Sequence, residues 1–315
     1  MAKYRNRILE LSSTLLITDG GLETKLIFHD GIPLPDFAAF TLLKTETGRQ
    51  WFREYFLIYI HLARKYNVGL ILESPTWRAS LDWFRKQGYA DEDIVDINRK
   101  SIELLSDLRD QYETEQKPIL IEGCLGPRGD GYNPSIIMSA DEAQAYHAAQ
   151  IEAFSQTNAD LITALTISYP EEAIGVVRAA KAVQMPIAIS FTVENDGKLP
   201  TGQTLKEAIE LVDRETENTP IYYMVNCVHP GYLQTIFETQ ESWIKRIHGI
   251  KGNASKKSHA ELDESQELDA GDPFDFAQSN QIYFNKYKHI NIFGGCCGTD
   301  SRHIEETCKL ISSKQ

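Results

Sequence analysis

Five cysteines occur in this chain, at positions 124, 227, 296, 297 and 308, and two of them stand side by side in "NIFGGCCGTD" (291–300). An odd count in a long chain does not describe a disulfide framework. A disulfide between neighbours is strained, so the pair points away from redox cycling. Clustered thiols in a reducing compartment are more often catalytic or metal-binding. Cys227, Cys296 and Cys297 each end an apolar run. Three thiolates can hold Zn²⁺ and leave the fourth tetrahedral position open, which is the arrangement of a catalytic zinc. The Gly294–Gly295 turn would let both adjacent sulfurs aim at one ion. Taken singly, a cysteine also serves as a small apolar core residue. Cys308 fits that description, in a stripe with Ile304 and Ile311, and Cys124, before Leu125 and Gly126, reads as structural.

For Cys227 to meet a pair 69 positions downstream, the fold must gather the ends of distant elements. Eight apolar runs bounded by turn residues read as strands: "TLLITDGG" (14–21), "VGLILESP" (68–75), "PILIEGCLGP" (118–127), "DLITALTIS" (160–168), "PIAISFT" (186–192), "IYYMVNC" (221–227), "RIHGIKGN" (246–253) and "INIFGGCC" (290–297). Segments of helical period lie between them. Phe52, Phe56, Tyr59, Ile60 and Ala63 recur at spacings of three and four, and Ser139 with Glu142 forms a capping-box pattern. "TLKEAIELVDRE" and "DSRHIEETCKLI" are further helices, and 74–117 has room for two. Apolar strands alternating with helices predict a parallel sheet, and eight units predict a closed (β/α)₈ TIM-type barrel, a single domain over 1–315. A polar, acidic insertion at about 252–280 reads as a lid over the active face or a solvated loop. In such a barrel the strand C-termini host the site, which places Asp19, Glu73, Cys124, Cys227, Cys296 and Cys297 around one mouth.

With 42% hydrophobic and 24% charged residues, the 315-residue chain is an ordinary globular protein. A formal charge of −13 argues against nucleic acid or an anionic membrane surface as partner. No apolar run approaches the ~18 residues of a membrane span. The start, "MAKYRNRILELSS", has no apolar signal core, so a cytoplasmic protein is expected. Oligomeric state is not legible.

The motifs together resemble the homocysteine S-methyltransferase family. "GGCCGTD" (294–300) with the upstream "NC" (226–227) carries the likeness. "DGGLETKL" (19–26), "SPTWRAS" (74–80), "GPRGDGY" (126–132) and "GNAS" (252–255) match in order over nearly the whole chain. The resemblance implies a zinc-dependent homocysteine-binding barrel that methylates the homocysteine sulfur to give methionine. It places the metal on Cys227, Cys296 and Cys297, and the amino-acid end of homocysteine against Asp19 and the backbone of Gly20 and Gly21. The donor would be S-methylmethionine, S-adenosylmethionine or a betaine-like onium. A corrinoid route is not expected, since the chain has neither room for a cobalamin module nor an Asp-x-His motif.

One departure matters. Members of the family usually end the fourth strand with a glutamate that binds the substrate ammonium, and here that position is Leu165. Glu73, at the end of the second strand, is the candidate replacement, or else a structural carboxylate. Arg78 stands where many members have a neutral residue, and would bind a substrate carboxylate or pair with Asp82 one turn later. His229 would close the metal site as a fourth ligand, so a rim or packing role is expected for it. Trp77, Tyr132, Tyr169 and Phe191 could offer ring faces to an onium cation or simply pack. Three alternatives remain: methylation of a different thiol, a non-catalytic zinc barrel binding a metabolite, and a Schiff-base lyase using Lys251.

Overall fold

Strands buried on both faces read as continuous apolar runs rather than alternating ones. The computed structural model, which describes residues 2–239, 241–263 and 267–312, forms its strands from those runs. They are β1 (Leu16–Ile17), β2 (Gly69–Glu73), β3 (Ile119–Leu125), β4 (Leu161–Ile167), β5 (Ile187–Thr192), β6 (Tyr222–Asn226), β7 (Ile247–Gly252) and β8 (Ile292–Gly295). Each pairs in parallel with its sequence neighbours, and β1 pairs with β8, closing the barrel expected from the sequence.

Helices cover the outside: α1 (Glu46–Tyr66), α2 (Leu81–Lys86), α3 (Asp93–Tyr112), α4 (Ala140–Ser155), α5 (Pro170–Ala182), α6 (Leu205–Thr216), α7 (Pro273–Lys286) and α8 (Ser301–Ser312). Two helix pieces do occupy the β2–β3 connection, whereas only short turns link β6 to β7. The expected Ser139–Glu142 capping box forms at α4, and Thr204 with Glu207 makes a second at α6. Cys308 on α8 is fully buried in the outer core, as its apolar stripe implied.

The barrel interior is layered. Leu16, Ile71, Leu120, Leu161, Ala188, Tyr222, Met224 and Ile292 fill its N-terminal half, with Ile8 of the leading turn packed beneath them. Side chains on a strand alternate faces, so residues two steps further along share this interior. Those residues are Thr18, Glu73, Glu122, Thr163 and Ser190, with Lys251 on β7, and all are buried. The inside therefore turns from apolar to ionisable towards the strand C-termini. Among the described residues no helix is long and apolar enough to cross a membrane.

At the opposite end, Arg109 on α3 and Asp160 before β4 form a buried pair, Nη1 to Oδ2 at 2.7 Å. The same carboxylate accepts the Tyr4 and Ile121 amides at 2.7 and 2.9 Å, pinning the N-terminal segment to the barrel floor. Removing one partner of a buried pair leaves an uncompensated charge, so Arg109→Met should cost about 3–5 kcal/mol. Urea unfolding measures it, and a loss below about 1 kcal/mol would show that the amides alone satisfy Asp160.

Candidate metal centre and its cavity

At the mouth of the barrel the backbone brings the three thiols together. The Cys227 amide donates to the Lys251 carbonyl at 3.1 Å, and the Cys296 amide donates to the Gly252 carbonyl at 2.8 Å. The end of β7 is thus the shared rail on which the ends of β6 and β8 are set. The Cys297 carbonyl accepts from Ala254 at 3.0 Å, which ties the following loop to the same pair. All three sulfurs lie within 4.8 Å of one another, with Cys227 and Cys296 Sγ 2.7 Å apart, and none is in a disulfide. The expected convergence is present.

Two glycines make the turn possible. A Cβ on Gly295 would sit 2.1 Å from Thr299 Oγ1, and Gly298 has φ +77°, in the left-handed region. Beside the thiols, Thr166 at φ +63° and Cys227 at φ +61° occupy that region without glycine's freedom. A β-branched residue there is a genuine outlier, held only where its surroundings over-determine it. Asn226 does the holding. Its Oδ1 accepts from the Thr166 amide at 3.2 Å and from Ser190 Oγ at 2.7 Å. Its Nδ2 donates to Thr166 Oγ1 at 2.9 Å and to Cys227 Sγ at 3.0 Å. Tyr132 Oη donates to Cys227 Sγ at 3.2 Å, and its ring lies 4.1 Å from that of His259. His259 in turn meets the Cys227 carbonyl, which also accepts from Asn253 Nδ2 at 2.9 Å.

Without a metal the three thiols differ in acidity. Burial pushes the Cys227 thiol up, and hydrogen bonding with its neighbours raises Cys296. Hydrogen bonds from Cys227 and Cys296 lower Cys297. Three adjacent thiolates would require a cation between them. The donor set of three sulfurs with free space on one side fits Zn²⁺ with an open position.

That free space is a cavity of about 460 Å³. Its floor is a buried charge cluster. Lys251 Nζ contacts Glu73 Oε1 and lies 3.2 Å from Asp19 Oδ1, while Tyr55 Oη donates to Asp19 Oδ2 at 3.0 Å. Burial works against the Lys251 charge, but Glu73 and Asp19 more than offset it and hold its pKa above the usual range. Burial pushes the Asp19 carboxyl up to about 7 despite Lys251. Glu122, directly across from Glu73 in the β2–β3 register, is raised by burial and then by the Glu73 charge, and its Oε1 has no partner among the described residues.

Asp19, Gly20, Gly21, Glu73 and Arg78 all line this cavity, with Leu165 on the same wall. The Gly21 amide already donates to Thr299, at 3.0 Å to its carbonyl and 3.1 Å to Oγ1, and the Gly20 carbonyl accepts from Tyr55. Arg78 does not pair with Asp82. It lies before α2, outside the helix, and Asp82 instead accepts from Arg128 Nε at 2.8 Å. His229 is turned away from the thiols, accepting from the Gly231 amide at 3.1 Å and lying 3.3 Å from Asp275, so it packs as expected. Trp77 and Tyr132 face the cavity, whereas Phe191 is buried against Tyr223 and Tyr169 accepts from the Met138 amide. The polar insertion supplies Asn253, Ser255, His259, Leu262 and Asp269 to the wall. Sequence reading missed Glu23, which also lines the cavity. Its signal was a carboxylate two residues after the glycine pair of "DGGLE".

A closed parallel barrel with a three-thiol cluster at its C-terminal mouth is the form of a thiol-metal methyltransferase. A family model described as homocysteine S-methyltransferase matches residues 16–311. This chain belongs to the homocysteine S-methyltransferase family and is a methyltransferase. Among similar proteins, homocysteine S-methyltransferase 2 of Arabidopsis thaliana is 22% identical, over 95% of this chain and 93% of its own. Selenocysteine Se-methyltransferase of Brassica oleracea var. italica is 23% identical, over 98% and 92%. The metallated form of the homocysteine methyltransferase MmuM from Escherichia coli has the same fold, with a TM-score of 0.73, 18% identity, and coverage of 99% of this chain and 100% of that one.

Asn226→Ala would leave the Thr166 amide and the Ser190 hydroxyl unpaired in the interior, at about 1–3 kcal/mol for each group. Expected are lower stability in urea and faster labelling of Cys227 by a thiol reagent in the presence of a chelator. Unchanged labelling would mean that the amide does not hold that sulfur.

Proposed function

We propose that this chain transfers a methyl group from an onium donor to the thiol of homocysteine, using zinc on Cys227, Cys296 and Cys297. The observation that carries this is three sulfurs within 4.8 Å of one another on the wall of a cavity of amino-acid size. When bound, zinc would hold an incoming thiol as its thiolate at neutral pH, which a free thiol with pKa near 8.5 does not provide. Asp19 and Glu73, both in contact with Lys251, offer carboxylate oxygens as a seat for the substrate ammonium beside Gly20 and Gly21. The bond from methyl carbon to the acceptor sulfur forms as the bond to the onium atom breaks, and its electron pair returns to the donor. The acceptor's proton has already left to solvent. A cation and an anion become two neutral groups, so the apolar wall of Leu22, Ile27, Phe28 and Leu165 suits the step.

Leu165 favours a second reading, methylation of another thiol that has no ammonium at that point. An assay with homocysteine, selenocysteine and simple thiols against several onium donors, with and without chelation, separates the two. Homocysteine should be methylated, and chelation should abolish turnover. Metal analysis should find one zinc per chain, lost in Cys227→Ser, Cys296→Ser and Cys297→Ser but retained in Cys124→Ser and Cys308→Ser. A zinc content unaffected by the first three would end the proposal, and zinc bound without any methyl transfer would leave a non-catalytic barrel.

A further inference from the structure

Arg78 is a buried cation that forms no ion pair among the described residues, Asp130 being the carboxylate that acts on it most from a distance. Its guanidinium is stacked between the rings of Trp77 and Trp83, 3.9 and 4.0 Å from their centroids, and the residue is 7% exposed. Nη1 donates to the Gly129 carbonyl at 2.7 Å, while Nε is buried with no partner among the described residues. Among those residues no carboxylate comes within 4.0 Å of it, since Asp82 is taken by Arg128. Two indole faces offset part of the cost of burying the charge. They also fix the plane of the guanidinium, so that the edge carrying Nε is held ready for a two-pronged contact with a carboxylate.

Glu23 is the complementary oddity. It lines the same cavity, forms no ion pair among the described residues, and acts electrostatically with Cys297 and, after Asp130 and Tyr132, with Arg78. The wall therefore presents the thiol cluster, an uncommitted carboxylate and an uncommitted guanidinium. The Asp19–Lys251–Glu73 cluster forms a separate part of the floor.

We propose that Glu23 and Arg78 form the methyl-donor subsite, selecting a small onium compound that carries its own carboxylate, with the onium centre against Glu23 and the carboxylate on Arg78. This rests on the methyl-transfer reading above and deepens it: the floor cluster is left to the acceptor, and the wall reads the donor. It also dictates a kinetic signature. The positive charge that Glu23 grips disappears as the methyl moves, so Glu23 holds the ground state more tightly than the transition state. Its loss should raise the donor's KM without a matching fall in kcat.

Trp77 and Trp83 enclose Arg78, so tryptophan emission of the zinc-loaded protein reports donor binding without turnover. Titration with S-methylmethionine should be saturable, and trimethylsulfonium, which has no carboxylate, should bind at least tenfold more weakly. Arg78→Met should weaken S-methylmethionine tenfold or more, abolish the preference over trimethylsulfonium, and leave the KM for homocysteine within about twofold. Arg78→Lys, which keeps the charge but not the fork, should fall between, and serves if the methionine variant does not fold. Glu23→Gln should weaken both sulfonium probes. Equal binding of S-methylmethionine by wild type and the Arg78 variants, or a loss confined to homocysteine, overturns the assignment. The titration needs no methyl transfer, so a protein that binds the probe as described but methylates no thiol would refute the proposed reaction and not the subsite.

Discussion

The site depends on one piece of backbone, the last turn of β7. Parallel strands exchange hydrogen bonds at even spacing, so each strand end sets the height of its neighbours. Here the carbonyls of Lys251 and Gly252 receive the amides of Cys227 and Cys296, on opposite sides. Two residues far apart in the chain are thereby fixed at one level above the barrel. The adjacency of Cys296 and Cys297 adds the third sulfur without needing a third strand. A set of thiols spread over flexible loops would have to be ordered by any metal it bound, whereas this one is ordered by the sheet itself.

Strain gathers at the same level. Thr166 and Cys227 both hold left-handed backbone, and both are tied to Asn226. The β4–β5 register shifts between Ala164 and Ile167, so β4 departs from regular pairing where Leu165 and Thr166 reach the cavity. Such conformations cost of order 1–3 kcal/mol each. The surrounding barrel, with its continuous outer core and closed strand ladder, can carry that cost. A less enclosed fold would relax it by turning Cys227 away from the pair.

All eight strands were legible because a parallel barrel strand is apolar on both faces and ends in turn residues, and β3 is buried from Ile119 to Leu125. The capping box at Ser139 was equally plain, being a local signal. The partners of charged groups were not legible. Glu73 finds Lys251, 178 positions away, because barrel closure sets β2 and β7 around one interior, and no local spacing records it. Arg78 and Asp82 had helical spacing, but α2 begins at Leu81, so the guanidinium turns into the cavity and Asp82 outward to Arg128. Tyr169 and Phe191 failed as ring faces for a cation for a similar reason. Each lies near a strand end, yet Tyr169 is tied to the Met138 amide and Phe191 is packed into the outer core.

The loss of a carboxylate at Leu165 can now be weighed by charge. Two unit charges 4 Å apart interact by about 4 kcal/mol at an effective dielectric of 20, so the count of charges on the floor outweighs small changes in their position. Asp19 and Glu73 face Lys251 alone, with Glu122 behind them held above the usual carboxylate range by burial. A glutamate at position 165 would add a further acidic group to the cavity that Glu23 already lines. Leucine there limits the number of acidic groups on that wall. It also leaves an apolar surface where charge vanishes during methyl transfer. In the proposed donor subsite, Leu165 and Glu23 would divide the wall between an apolar surface and an acidic group, the latter in the turn after β1 rather than at the end of β4.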